Sequence, residues 1–223
     1  MGQKVNPIIQ RIGIIRTWDN KWFANKKKYA KYLLQDFEIE KIIRHELTDA
    51  GVSRIEIQRT ANRVNIYIHS AKPGIIIGRQ GAGIEVLKEK LKKHFNEDFV
   101  LNIREIKKPA TDAYLLADSI ARQIEKRVSY RRAAKMAIEK AMEAGAKGIK
   151  ISLAGRLNGV EISRSEFFTR GKIPLHTFRA NIDYASMPAK TEYGTIGVNV
   201  WVYLGDVFNK KGQYINDQEI QPA

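Results

Sequence analysis

The sequence predicts an α+β fold in two successive units, and three observations predict it. Apolar residues recur at helical spacing over 28–50, 84–95, 112–128 and 130–144. Between and after these stretches, short segments alternate apolar and polar residues at the period of a half-buried strand. Lys107, Lys108 and Pro109 then separate an earlier mixed set of elements from a later set of two helices and four strands, since proline cannot continue a helix. The expected organisation is a basic arm and helix start over 1–36, a first unit over 37–106 and a linker over 107–111. A second, two-layer unit follows over 112–204, with a polar flexible tail over 205–223.

Residues 1–25 mix Pro7, Gly13, Asn20 and Asn25 with short apolar pieces, which predicts a loosely structured arm holding at most one short strand. Trp18, Trp22 and Phe23 either stack on nucleobases or pin the arm to its own domain, and both readings stay open. Lys26, Lys27 and Lys28 read as a solvated helix start. From there Tyr29, Leu33, Phe37, Ile39, Ile42, Ile43 and Leu47 form an apolar stripe, with an interruption expected at Gln35–Asp36 and a stop at Gly51. Ile55 and Ile57 mark one strand, and Val64, Ile66 and Ile68 a second, joined by a tight hairpin at Ala61–Asn62. A short apolar helix, a glycine-bounded turn and a helix carrying Ile84, Leu87, Leu91 and Phe95 to about Asn96 come next. A strand over Phe99–Ile106 closes the unit.

In the second unit, Thr111 or Asp112 can cap a helix with the stripe Leu116, Ile120, Ile124 and Val128. The following helix, from about Tyr130 to Ala144, has a seam of alanine with Met136, Ile138 and Met142, suited to close packing on a sheet. Strands are expected at Gly148–Ala154, Val160–Phe168, His176–Tyr184 and Gly194–Leu204. The last sets Ile196, Val198, Val200, Val202 and Leu204 on one face against Asn199, Trp201 and Tyr203 on the other. Two helices and a four-stranded antiparallel sheet make a two-layer domain.

Charge narrows the class of partner. The 223 residues hold 39 Lys and Arg against 24 Asp and Glu, a net charge of +15, with a pI of about 9.9. That balance predicts a polyanion, nucleic acid before membrane. No apolar run approaches the roughly 18 residues that span a bilayer, and the N-terminus lacks a signal-peptide core. The absence of cysteine excludes disulfides, thiolate zinc sites and cysteine nucleophiles. A cytoplasmic location is expected. The excess charge is uneven: 37–106 carries only +2, whereas 1–36 carries +6 and both 107–145 and 146–204 carry +4. RNA contact along much of the chain fits that distribution better than contact at the first unit alone.

The turn Gly78-Arg79-Gln80-Gly81 follows Ile75, Ile76 and Ile77 and opens a helix. A Gly-x-x-Gly spacing alone is weak, and an ordinary helix–turn–helix joint would also use it. Set in the order helix, strand, strand, short helix, turn, helix, strand, it resembles the loop with which KH domains clamp about four nucleotides of single-stranded RNA. The order is that of a type II KH domain. The predicted fold is therefore α+β, an N-terminal type II KH domain plus the C-terminal two-layer domain. Ile77, Gly78, Arg79, Gln80 and Gly81 are its candidate RNA-binding residues.

Seven separated motifs extend the resemblance. They are 1–7 (Met-Gly-Gln-Lys-Val-Asn-Pro), 73–81, 130–135 (Tyr-Arg-Arg-Ala-Ala-Lys), 145–150, 155–159 (Gly-Arg-Leu-Asn-Gly), 174–180 and 193–201. Over nearly its whole length to Leu204 the chain resembles the bacterial small-subunit ribosomal protein S three family. That resemblance implies a place on the head of the small subunit, with ribosomal RNA, messenger RNA and neighbouring ribosomal proteins as partners. No cofactor, metal or membrane partner is expected. The resemblance also implies that Arg131, Arg132 and Lys135 line the tunnel where messenger RNA enters and help to open structured messages. Arg131 and Lys135 lie four apart on one helix face, with Arg132 about 100° round it. A solvated first helical turn is the bland alternative. Where the family usually sets lysines between the loop glycines, this chain has Arg79 and Gln80, which keeps the backbone clamp and weakens its electrostatic grip. Lys4, Arg156, Arg164 and Arg179 are further candidates for ribosomal RNA contact, each equally readable as a solvated charge.

Catalysis is not expected. His45, His69, His94 and His176 show no metal-ligand spacing, and no Gly-x-x-x-x-Gly-Lys-Ser/Thr loop is present for nucleotide hydrolysis. Gly81-Ala82-Gly83 is a fragment of a dinucleotide fingerprint without the βαβ unit it requires. A free-standing regulatory RNA binder working through the KH loop is the competing class, and a nuclease or lyase is remote.

Overall fold

The computed structural model describes residues 4–60, 63–95 and 97–208. The chain divides into two units, one over Trp18–Lys107 and one made of the residues on either side of it. The arm expected over 1–36 is thereby shared between the two. The expected hairpin residues Ala61 and Asn62 lie outside the described residues, as does most of the tail expected over 205–223, from 209 onward; its first two residues, 205 and 206, still belong to the last strand.

In the first unit, helix α1 runs unbroken over Lys26–Glu46, through the point where an interruption was expected. Asp36 is the reason. It is 1% exposed and accepts from Trp22 Nε1 at 2.7 Å and from Arg59 Nε and Nη2 at 2.9 and 2.7 Å. A partnered buried carboxylate does not compete for the helix backbone as a free one would. Arg59 is held on its other side by Glu97 at 2.8 Å. Orienting Asp36 inward turns the first half of the expected stripe outward. Tyr29, Leu33 and Phe37 are half or more exposed, while Ile39 and Ile43 fill the core.

Strands β1 (Val52–Arg59) and β2 (Val64–Ser70) pair antiparallel, and β3 (Phe99–Glu105) joins β2 in parallel. Ile55, Ile57, Ile66, Ile68 and Phe99 turn to the helices and are buried. Helix α2 (Pro73–Ile77) leads through the turn into α3 (Ala82–His94), which buries Leu87 and Leu91. On the opposite face of the sheet, Glu56 is 5% exposed, with Arg54 Nη2 at 2.8 Å and His69 Nε2 at 3.0 Å. The hydrogen bond from His69, helped by the charges of Arg54 and Arg104, holds the Glu56 carboxyl down at about 2 against its burial.

In the second unit, α4 (Ala113–Glu125) is capped by Asp112, whose side chain accepts from the N–H groups of Tyr114 and Leu115. Val128 lies beyond its end. Helix α5 (Tyr130–Glu143) buries Ala133, Ala134, Ala137 and Ala141, and so approaches the sheet closely. The sheet has order β5-β4-β7-β6, antiparallel throughout, from β4 (Gly148–Gly155), β5 (Arg164–Gly171), β6 (Ala180–Thr191) and β7 (Gly194–Asp206). Two strands depart from expectation. The segment 157–163 is occupied by a short turn of helix and a loop, so β5 starts at Arg164, and β6 runs past Tyr184 through Pro188 to Thr191. Proline is tolerated there because β6 is an edge strand whose outer side needs no N–H donor. The first residues of the chain complete this unit. Arg11 is wholly buried, and its guanidinium donates to the carbonyls of Ala180 (2.7 Å), Pro7 (2.8 Å), Leu175 and Thr177 (both 3.0 Å). Arg16 reaches Asp183 at 3.1 Å, and the other oxygen of Asp183 accepts from the first N–H of α4.

Two predictions follow from these contacts. A Cβ added at Gly83 would sit 2.4 Å from the Ile76 carbonyl oxygen, whereas one at Gly74 meets nothing within 4 Å. Gly83→Ala is expected to cost about 1–3 kcal/mol in urea unfolding, and Gly74→Ala to be neutral or stabilising by less than about 1 kcal/mol. Because the folded carboxyl of Glu56 titrates below its ordinary 4.5, the ionised form supports the fold above that pH, and the support is lost as pH falls from about 4.5 toward about 2. Glu56→Gln should flatten the acid limb of the stability profile over that window.

Candidate nucleic-acid interface

The Gly-x-x-Gly turn is built from left-handed backbone. Gly78 (φ +69°), Gln80 (φ +55°) and Gly81 (φ +85°) all lie at positive φ. Gln80 adopts there a conformation that is uncommon for a residue with a Cβ. Gly78 and Gly83 together allow α3 to cross α2 at backbone contact, since a Cβ on Gly78 would lie 3.0 Å from the Gly83 nitrogen. Gly83, read from sequence as a stray fingerprint fragment, is thus the glycine with the tightest fit at the joint. Ile77, Arg79 and Gln80 project at the surface, and Ile75 and Val86, each about half exposed, leave apolar surface beside the turn. The arrangement offers backbone groups and apolar area, with Arg79 as the cation inside the turn.

Alanine packing on one side of α5 leaves Arg131, Arg132 and Lys135 exposed on the other. The second unit also brings Arg164 to this place, which sequence spacing did not connect. Glu166 on β5 accepts from Tyr130 Oη at 2.9 Å and from Arg131 at 3.3 Å, and lies 3.2 Å from Arg164. Arg164 also donates to Tyr130 Oη at 3.2 Å, and Arg131 lies over the Tyr130 ring. The hydrogen bonds from Arg131 and then Tyr130 hold the Glu166 carboxyl below its ordinary range, and Glu166 in turn raises the Arg131 guanidinium. Tyr130 and Glu166 therefore fix the direction of two arginines while Arg132 and Lys135 stay clear of that pair. Sequence reasoning missed Glu166; its signal was an acidic residue two positions from Arg164 on the same strand face.

The remaining candidates are scattered. Arg156 donates to the carbonyls of Val160 (2.9 Å) and Tyr193 (3.2 Å), tying its turn to the β6–β7 hairpin. Arg179 precedes β6 rather than lying on a strand, and pairs with Asp206 at 3.1 Å. Lys4 is exposed. Of the arm aromatics, Trp22 is engaged by Asp36, Tyr29 and Tyr32, whereas Trp18 and Phe23 are 67% and 91% exposed. Among the described residues no helix is long and apolar enough to cross a membrane, and no three acidic or histidine side chains converge as metal ligands.

Replacing Glu166 by glutamine releases two arginines from one carboxylate. The expected result is tighter binding of single-stranded RNA and a plot of log K against log salt that steepens by about 1.4, read by fluorescence anisotropy. An unchanged slope would show that the carboxylate does not restrain them.

The comparisons with known proteins bear on the family of the chain. The KH domain family matches residues 38–111, and the family described as ribosomal protein S3, C-terminal domain, matches residues 120–202. A small ribosomal subunit protein uS3 of Desulforudis audaxviator (strain MP104C) is 53% identical over 211 residues, covering 95% of this chain and 97% of that protein. One from Streptococcus pneumoniae (strain Hungary19A-6) is 53% identical over 216 residues, covering 95% and 99%. These relatives are named as ribosomal proteins rather than enzymes. With a KH domain followed by the S3 C-terminal domain, and that identity across nearly the full length, the chain belongs to the uS3 family of small ribosomal subunit proteins.

Proposed function

We propose that this chain is a structural constituent of the small ribosomal subunit that binds ribosomal RNA and, through α5, holds messenger RNA entering the ribosome. The observation that carries the second part is the exposed set Arg131, Arg132 and Lys135 on a helix whose opposite face is locked by alanine packing. Cations on a rigid backing, Arg132 and Lys135 free to move and Arg131 aimed by Glu166, grip a sliding phosphate chain without reading bases. Strand opening here is passive, with translocation as its motor. Ile77, Gly78, Arg79, Gln80 and Gly81 serve as a backbone clamp on ribosomal RNA, and Lys4, Arg156, Arg164 and Arg179 add phosphate contacts. Ribosomal proteins of the head and entry tunnel are the protein partners.

The test is the combined variant Arg131→Ala, Arg132→Ala, Lys135→Ala. It should assemble into subunits and translate unstructured messages normally, and should slow on messages with stable hairpins. For the isolated protein, the single-strand salt slope should fall by about 2 if all three touch phosphate. Failure to assemble would reassign these residues to the scaffold. Normal speed on hairpins would remove messenger RNA from their role. A free regulator working through the KH loop would instead be disabled by changing Gly78 and Gly81 and leave the subunit at modest salt.

A further inference from the structure

The sheet of the second unit has two faces, and only one is covered by helices. Ile149, Ile151, Leu153, Val198, Val200 and Val202 meet α4 and α5. The strand registers set the alternate residues on the opposite face. Lys150 stands across from Trp201, Trp201 from Tyr184, and Ser152 from both Phe167 and Asn199. One end of this face is closed by Ile173 and Leu175 over Ala180, Ile182 and Tyr203, and Trp201 packs against that cluster half-buried. The rest is open, with Phe167 70% exposed.

The open part has a specific chemistry. The Lys150 ammonium lies between two rings, 5.6 Å from the Phe167 centroid and 5.3 Å from that of Trp201. Tyr184 packs on Trp201 at 5.2 Å, and its hydroxyl donates to Asn199 Oδ1 at 3.3 Å. The outward positions paired across the four strands, from Gly148 to Ala154 and their partners, contain no carboxylate. Small side chains and glycines surround the rings, so a flat ligand can approach the backbone. A protein partner covering this face would have to bury Lys150 without an acidic neighbour from this chain. A single-stranded nucleic acid supplies both missing groups, a phosphate for the ammonium and π-faces for the rings.

We propose that this face of the β5-β4-β7-β6 sheet is a stacking platform for single-stranded RNA, with a base on the exposed Phe167 beside the half-buried Trp201 and a phosphate at Lys150. Four-stranded sheets bearing aromatic side chains take bases in this way. The platform rests on the reading of the chain as an RNA binder, but not on the α5 cations, which lie on the other side of the same sheet. A strand that reached both would wrap the second unit, in keeping with charge spread along the chain.

The experiment is anisotropy with a fluorescein-labelled 12-nucleotide single-stranded RNA and the full-length chain, over a series of salt concentrations. Phe167→Ala removes an exposed ring and should weaken binding on the order of tenfold with the salt slope unchanged. Phe167→Tyr should restore it. Lys150→Gln should lower the slope by about 0.7. The α5 triple variant changes the slope by about 2 and keeps the Phe167 effect, so the two surfaces fail independently. Wild-type binding by both Phe167→Ala and Lys150→Gln would overturn the platform. Unchanged RNA affinity combined with loss of co-sedimentation with small subunits would overturn it in favour of a protein contact.

Discussion

A guanidinium without a carboxylate, enclosed by carbonyl oxygens, is the contact on which the second unit's form depends. Arg11 is fully buried and satisfied by four backbone acceptors, Pro7 four residues before it and three in the distant stretch 175–180. Its burial, and then the neighbouring Arg16, push its pKa down from the ordinary arginine value, yet a guanidinium stays protonated where a lysine would be prone to release its proton. The planar fork reaches carbonyls in several directions, which an ammonium on a flexible stem does less well. By binding the 173–180 loop and the start of β6, it shapes the closed end of the sheet and leaves the remainder of that face open.

Charge plays opposite parts inside the protein and on its surface. Inside, cations are matched: Arg59 by Asp36 and Glu97, Arg16 by Asp183. These pairs position elements, and truncating one partner would strand a buried charge. On the surface of α5, Arg132 and Lys135 are presented to solvent, and Arg131 is aimed by a carboxylate that it shares with Arg164. A net charge of +15 counts both kinds alike, so composition pointed to a polyanion without locating it.

The alternation of β7 and the glycine-bounded turn were legible because each is a local pattern: period two in one case, backbone freedom at fixed spacing in the other. The stripe Tyr29, Leu33 and Phe37 misled because apolar periodicity reports a helix but not which side is covered. Asp36, a long-range hub for Trp22 and Arg59, decides that. The two shifted strands have the same cause. A β-propensity run at 160–163 lies in a loop, and Pro188 lies in a strand, because position in the sheet overrides local preference. At the candidate site, the α5 cations were legible from spacing. The Tyr130–Glu166–Arg164 arrangement was not, since it joins a helix start to a strand more than thirty residues away.

Because Arg11 assigns the first seventeen residues to the second unit, the Trp18–Lys107 unit is an insertion, entered and left through two covalent crossings. During synthesis the inserted unit emerges whole while the opening segment still lacks the carbonyls at 175, 177 and 180. That segment must wait for about 160 further residues, a contact of high sequence separation that closes late. The order of emergence thus lets the KH-type unit complete its contacts before the rest of the protein has a finished fold. The second unit can close only once the chain has been made at least as far as β6.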